Sequence, residues 1–229
     1  MNAPAISRLM ENLAAGRRQT VVVYGTSLTE GGRWVGDLTD WLDGQYPGRA
    51  TIINSGQSGR ASNTALANLE PRVLAHRPDT VILEFAINDA FGYEPGDLDH
   101  GISEEKSRAN LNQMIDAIRR ADPDAEIILQ TMNPAWDAPN GNRSGSRRPR
   151  LDDYYTGCRA VASARGLPLV DHHANWSRLM AEDRAAFERH IPDGVHPTPE
   201  GSTTVTFPAL RQALAGPVRH PAQIDFLSS

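Results

Sequence analysis

Thr20-Val21-Val22-Val23-Tyr24, leading directly into Gly25-Thr26-Ser27, is the stretch that decides the fold. An unbroken apolar run of this length, without the alternation of a half-exposed strand, suits a strand buried on both faces of a parallel sheet. Short runs of the same kind recur at Ala50 to Ile53, Thr80 to Phe85, Glu126 to Gln130 and Leu167 to Val170. Between them helical periodicity predicts helices at about Trp34 to Gln45, Ser62 to His76, Ser103 to Arg120 and Leu151 to Arg165. Two more, Trp176 to Arg189 and Glu200 to Leu214, follow the last strand. That alternation is the rhythm of a doubly wound α/β sheet, whose right-handed crossovers bring the loops after the strands to one edge. Ligands bind at that edge in such folds, so functional residues are expected at strand C-termini.

Two segments interrupt the rhythm. Asn133 to Arg150 is rich in Pro, Gly, Asn and Arg, is long for a connection and has no period, so it reads as a flap or substrate-binding loop. Its arginines, Arg143, Arg147, Arg148 and Arg150, suit either an anionic group or a solvated charge run. Gly216 to Ser229 carries the apolar residues Ile224, Phe226 and Leu227 and reads as a docking tail, on its own domain or on a neighbouring subunit of a homo-oligomer. The whole of residues 1–229 reads as one domain.

Composition narrows the function. The formal net charge of -5, with 22% charged residues, gives no basic field for nucleic acid or anionic membrane, and a small-molecule substrate fits better. No apolar run reaches the roughly 18 residues that cross a bilayer. The single cysteine, Cys158, excludes an intrachain disulfide and reads as packing, and the N-terminal stretch lacks a signal-peptide core; the expected location is the cytoplasm.

The chemistry-bearing residues lie where the fold puts them. Gly25 to Gly31 follows the first strand and places the hydroxyl of Ser27 beside glycines; Asn54 to Arg60 follows the second, with glycines that let amides face a ligand; Ala86 to Asp89 follows the third and offers the Asn88 side-chain amide. Each alone reads equally well as a turn. Far downstream, Asp193-Gly194-Val195-His196-Pro197 sets an acid three residues before a histidine, close enough to hold one ring nitrogen and leave the other as a base. Together they supply what acyl transfer requires: a serine, a base to take its proton, an acid to orient the base, and donors for the developing oxyanion.

In these four blocks the chain resembles the SGNH hydrolases, or GDSL esterase/lipase family. Gly25-x-Ser27-Leu28-Thr29 is similar to the serine block, Asn54-x-Gly56-x-x-Gly59-Arg60 to the glycine block, Ala86-x-Asn88-Asp89 to the asparagine block and Asp193-x-x-His196-Pro197 to the last, all in order from Val21 to Gly201. The resemblance implies a flavodoxin-like three-layer fold with a five-stranded parallel sheet. It also implies Ser27 as nucleophile, His196 as base, Asp193 as its orienter, and Ser27, Gly59 and Asn88 as oxyanion donors. No cofactor and no metal is implied. The family's usual aspartate before the serine is Thr26 here, and the glycine that commonly opens the asparagine block is Ala86.

The expected activity is that of a serine esterase working through an acyl-enzyme on short acyl esters, acetyl above all, of a carbohydrate or small metabolite. An acyltransferase and a silent acyl-sugar-binding protein are the alternatives on the same fold. Metal catalysis through Asp171-His172-His173 has no supporting ligand spacing. The absence of a Gly-x-Ser-x-Gly elbow and the short acid-to-histidine spacing argue against an α/β-hydrolase.

Overall fold

The computed structural model describes residues 7–92, 101–140 and 142–216. The apolar runs form five parallel strands, β1 (Gln19–Gly25), β2 (Ala50–Asn54), β3 (Thr80–Glu84), β4 (Glu126–Thr131) and β5 (Leu169–Asp171). They lie in the order β2-β1-β3-β4-β5, the flavodoxin-like arrangement that the resemblance implied. The direction of winding reverses between β1 and β3, so the loops after these two strands diverge and leave a crevice. Ser27 and Asn88 follow those two strands.

The period of two along each strand sorts the core into two layers. Val21, Val23, Ile82, Ile128 and Val170 face one side, where they meet Leu9 and Leu13 of helix α1 (Arg8–Ala14) and Trp34, Leu38 and Leu42 of helix α3 (Arg33–Gln45). Val22, Tyr24, Val81, Leu83, Ile127 and Leu129 face the other. There they pack on α4 (Ser62–Ala67), α5 (Leu69–Arg72), α6 (Glu104–Ala121) and α7 (Leu151–Arg165). Cys158 is buried in this second layer as packing, as its sequence context suggests. Edge strand β2 is only partly buried. Among the described residues no helix is long and apolar enough to cross a membrane.

Three of the expected helices are interrupted, each for a local reason. The Ser62 to His76 stretch divides into α4, α5 and a 3₁₀ turn, Leu74–His76. Pro71 lacks an amide hydrogen, and its ring would clash with the carbonyl four residues back, at Ala67, where α4 ends. The Trp176 to Arg189 stretch becomes α8 (His172–Glu182) and α9 (Arg184–His190), because Asp183 turns its side chain to cap the second by accepting from Ala186 N at 2.9 Å. The last runs from α10 (Pro199–Gly201) through a π-helical stretch, Ser202–Thr206, into α11 (Phe207–Ala215), which adds Leu210 and Leu214 to the first core layer. The widened turn accommodates Pro208, which cannot donate to an ordinary helical bond. A single-turn helix α2 (Ser27–Glu30) and α1 have no counterpart in the expectations, being too short to show a period.

Asn133 to Arg150 is anchored far more than a flap reading suggests. Asn133, Ser144 and Arg148 are buried, Trp136 N donates to Gly194 O at 3.0 Å, and Trp136 Nε1 donates to Ile191 O at 2.7 Å. The loop is a brace for the segment that carries Asp193 and His196. Beyond Gly216, the tail that ends at Ser229 lies outside the described residues.

Candidate active site

At the end of β1 the chain turns sharply into α2, and Ser27 is the first residue of that turn. Thr26 caps it, its Oγ1 accepting from Leu28 N at 3.2 Å. Gly25 is required for close approach, since a Cβ there would stand 2.2 Å from Thr29 Oγ1 and 2.6 Å from Glu84 Oε2. From β2 the glycine loop packs on the same turn. Asn54 Nδ2 donates to the carbonyls of Thr29 and Glu30 at 3.1 and 3.2 Å, and a Cβ on Gly56 would lie 2.3 Å from Glu30 N. Gly59 has φ +72°, a conformation that L side chains rarely adopt. Asn88, buried after β3, donates through Nδ2 to Arg60 O at 3.0 Å, which ties the asparagine segment to the glycine loop. Asp89 strengthens the tie by accepting from Ser62 N at 2.7 Å.

The last block reaches the same place from the other end of the chain. His196 Nδ1 lies 2.6 Å from Asp193 Oδ2, and His196 Nε2 lies 2.8 Å from Ser27 Oγ. With the Nδ1 proton donated to the carboxylate, Nε2 carries the lone pair and accepts from the serine hydroxyl. Asp193 Oδ1 also accepts from Val195 N at 2.9 Å and His196 N at 2.7 Å. Partial burial would raise the Asp193 carboxyl, but these amides and the imidazole together hold it below the usual aspartate value. Gly194 at φ +88° makes the turn possible, and a Cβ there would meet Trp136 O at 2.3 Å. Asn133 Nδ2 holds the loop from beneath by donating to Val195 O at 2.8 Å.

Ser27, Gly59, Asn88, Asp193 and His196 therefore lie on loops that the fold brings to one edge of the sheet. The arrangement is a hydroxyl aligned on a base whose other nitrogen is held by a carboxylate, with glycine and asparagine loops alongside. Among the described residues, the amides of Ser27 and Gly59 have no hydrogen-bond partner. A cavity of about 320 Å³ opens beside Ser27 and His196, walled by Leu28, Trp34, Met132 and Pro197 and by Ser202 and Thr206 of the π-helical stretch. A larger one, about 510 Å³, lies at the opposite end of the strands, beside Ser7 and Glu126, away from this chemistry.

A family model of the GDSL-like lipase/acylhydrolase family matches residues 22–203. The chain belongs to that family. It is a carboxylic ester hydrolase, an acyl esterase. The isoamyl acetate-hydrolyzing esterase 1 homolog of Bos taurus is 29% identical over 203 residues, covering 81% of this chain and 77% of the relative. Among solved structures, the α/β hydrolase LAE5 from the metagenome of Lake Arreo superposes with a TM-score of 0.71 at 24% identity, over 86% of this chain and 95% of that one. The acetylxylan esterase Axe2 of Geobacillus stearothermophilus does so with a TM-score of 0.71 at 21% identity, over 86% and 94%. At those identities the two structures speak for the fold.

Several residues around the family's blocks carry no motif. Arg148 alone of the loop arginines turns inward. Its Nε donates to Ile87 O at 2.7 Å, its Nη1 to Ser144 O at 3.1 Å, and its guanidinium carbon lies 4.5 Å from the Phe91 ring centroid. Burial pushes it down to about 10, so it stays charged at neutral pH and clamps the brace loop to the residue before Asn88. Arg150 pairs with Asp153 at 2.8 Å on the surface. His172 and His173 point apart. His172 is fully buried with Nε2 at 2.9 Å from Gln130 Oε1, whereas His173 lies between Asp152 and Arg159. Glu84 lies beneath the Ser27 turn. The sequence signal for it was a lone acid inside the apolar run Thr80 to Phe85, since an unpaired carboxylate is almost never fully buried without a reason.

Proposed function

We propose that this acyl esterase works through Ser27 as nucleophile, His196 as general base and acid, and Asp193 as the group that orients the imidazole. The observation that carries the reading is the unbroken chain Ser27 Oγ to His196 Nε2, 2.8 Å, and His196 Nδ1 to Asp193 Oδ2, 2.6 Å. As Ser27 Oγ attacks the ester carbonyl, its proton moves to Nε2, and the carboxylate stabilises the imidazolium. The carbonyl oxygen becomes an oxyanion, for which the Ser27 and Gly59 amides and the Asn88 side chain are the donors. The imidazolium then gives its proton to the leaving alcohol. Water, deprotonated by the same nitrogen, releases the acid from the acyl-enzyme. His196 is about half exposed, with side-chain exposure of 47%, so water reaches it directly.

The substrate reading is a short acyl ester, acetyl first, of a small alcohol with an aliphatic body. Within the cavity, Ser202 Oγ already accepts from Trp34 N at 2.9 Å and Thr206 Oγ1 from Trp176 Nε1 at 3.2 Å. What remains for a ligand is largely the apolar surface of Leu28, Trp34, Met132 and Pro197. A carbohydrate entering it would surrender water from several hydroxyls for few partners. The name of the bovine relative, an isoamyl acetate-hydrolyzing esterase homolog, supports an aliphatic acetate.

The test is fluorophosphonate labelling together with a panel of acetates of small aliphatic alcohols, acetylated sugars and p-nitrophenyl esters of increasing chain length. Wild type is expected to label at Ser27 and to turn over aliphatic acetates with the highest kcat/KM. Faster turnover of acetylated sugars would overturn the alcohol assignment, and transfer to added alcohols exceeding free acid would replace hydrolysis by acyl transfer. An unlabelled, inactive wild type would remove the serine mechanism.

Asn88→Ala is expected to lower kcat by about 10²- to 10³-fold with KM little changed, because the donor acts on charge that exists only in the transition state. A loss confined to KM would exclude Asn88 from that role.

A further inference from the structure

Strand β3 ends on a carboxylate that solvent does not reach: Glu84 is 2% exposed. Its Oε2 accepts from Thr26 N at 2.9 Å, Thr26 Oγ1 at 3.0 Å and Thr29 Oγ1 at 3.1 Å. These donors flank Ser27 in the turn that carries it. Thr26 Oγ1 already accepts from Leu28 N, so its own proton must go elsewhere, and Glu84 is where it goes. Oε2 thus accepts from three donors, hydrogen bonding that favours an ionised acceptor. The missing Cβ of Gly25 is what lets it approach.

This arrangement is not a gain for the fold. Burial pushes the Glu84 carboxyl up from 4.5 to about 7, against the pull of Thr26 and Thr29, and Asp89 pushes it further up. A carboxyl raised in the native state stabilises the fold fully below its unfolded value near 4.5, and that contribution is lost as pH rises through about 7. At neutral to alkaline pH ionised Glu84 is therefore a cost to folding, the pattern expected of a group retained for its effect on a site.

The geometry points to Glu84 as a positioning residue for ester cleavage: its ionised carboxylate, reaching over from β3, holds the Thr26 to Thr29 turn so that the Ser27 hydroxyl stays aligned on His196, and a proton on it loosens that turn. The inference rests on Ser27 being the nucleophile. A proton on Glu84 removes the negative charge that draws the three donors to Oε2, so these charge-assisted bonds weaken together. Activity should then need two groups deprotonated, His196 and Glu84. The other titratable groups facing Glu84 are Asp89, in the loop that follows β3, and Tyr155 and Cys158 of α7. Burial raises both α7 groups, the thiol to about 12, so they remain neutral throughout.

The experiment compares wild type, Glu84→Gln, Glu84→Asp and Ser27→Ala in kcat and KM across pH, in thermal melting at pH 8 and in fluorophosphonate labelling. Wild-type log(kcat/KM) is expected to fall on the acid side with a slope approaching two. Glu84→Gln should lose about 10- to 100-fold in kcat at pH 8 with KM little changed, from misalignment of the nucleophile. It should fall with a slope of one and melt no lower than wild type. Asp89 is present in both proteins, so the difference in slope belongs to Glu84. Glu84→Asp, which keeps the charge one methylene short, should recover part of kcat and the steeper limb. Wild-type kcat and slope in Glu84→Gln would overturn the inference, as would a parallel loss of kcat and melting temperature, the mark of a purely structural role. If Glu84→Gln does not fold, the wild-type limb decides alone, and a slope of one overturns the inference. A wild type that neither labels nor hydrolyses esters removes the serine mechanism and this inference with it. An active wild type with inactive Ser27→Ala keeps the mechanism and leaves Glu84 to be judged on its own variants.

Discussion

Ser27→Ala is expected to lower kcat by about 10⁵- to 10⁶-fold, His196→Ala by nearly as much, and the double variant by no more than either alone. The reason is the single hydrogen bond of 2.8 Å between Ser27 Oγ and His196 Nε2. A serine hydroxyl attacks only as its proton leaves, and an imidazole without that hydroxyl has no proton to take, so either deletion disables the same step. What survives is catalysis from the oxyanion donors and from binding, which neither substitution touches. KM should change little, and the folded state should hardly notice, since the Ser27 hydroxyl bonds to His196 and that pair is exposed. Single-turnover measurements with p-nitrophenyl acetate on the three variants and wild type would check this. Losses that multiply in the double variant would mean that the two residues act in separate steps, and the triad would have to be abandoned.

The second large effect is expected from Asp193→Asn, a loss of about 10³- to 10⁴-fold in kcat with a nearly unchanged melting temperature. Asp193 divides its work between two oxygens. Oδ1 accepts from the amides of Val195 and His196, and an asparagine carbonyl can keep both bonds, so the turn survives. Oδ2 accepts the Nδ1 proton of His196 at 2.6 Å. An amide nitrogen in that place donates instead of accepting and selects the tautomer whose proton sits on Nε2. That nitrogen then faces the Ser27 hydroxyl with a donor and cannot take its proton. The pH dependence follows from the native environment. Because its carboxyl is held below the ordinary value of 3.8, Asp193 contributes stability above that value and loses it only as pH falls further. The acid limb of activity therefore belongs to other groups. A variant retaining more than about a tenth of wild-type kcat would contradict the assignment of Asp193 as orienter.

Much of this was legible in the residues. The five apolar runs sit within a residue or two of the strands, and Ser27, Gly59 and Asn88 fall at three consecutive strand ends because strand periodicity and turn chemistry are local properties. The Asp193 to His196 spacing was enough to pair acid and histidine, since three residues of turn suffice to fold one side chain back on the other. The anchoring of the Asn133 to Arg150 loop was not legible in the same way. Its Pro, Gly and Arg composition describes the chain by itself, whereas its order comes from Trp136, Asn133 and Arg148 bonding to carbonyls of Gly194, Val195 and Ile87.

The sheet, the order of the four blocks and the polar side chains at the strand ends could all be read from the residues, because each of these is set within a few positions along the chain. Only the folded chain brings Ser27 to His196 across 169 positions and Glu84 beneath Thr26 across 58. It alone also showed that a π-helical turn ahead of Pro208 walls the cavity beside them. Burial and long-range hydrogen bonds set those distances, and they exist only once the two core layers have closed on the sheet.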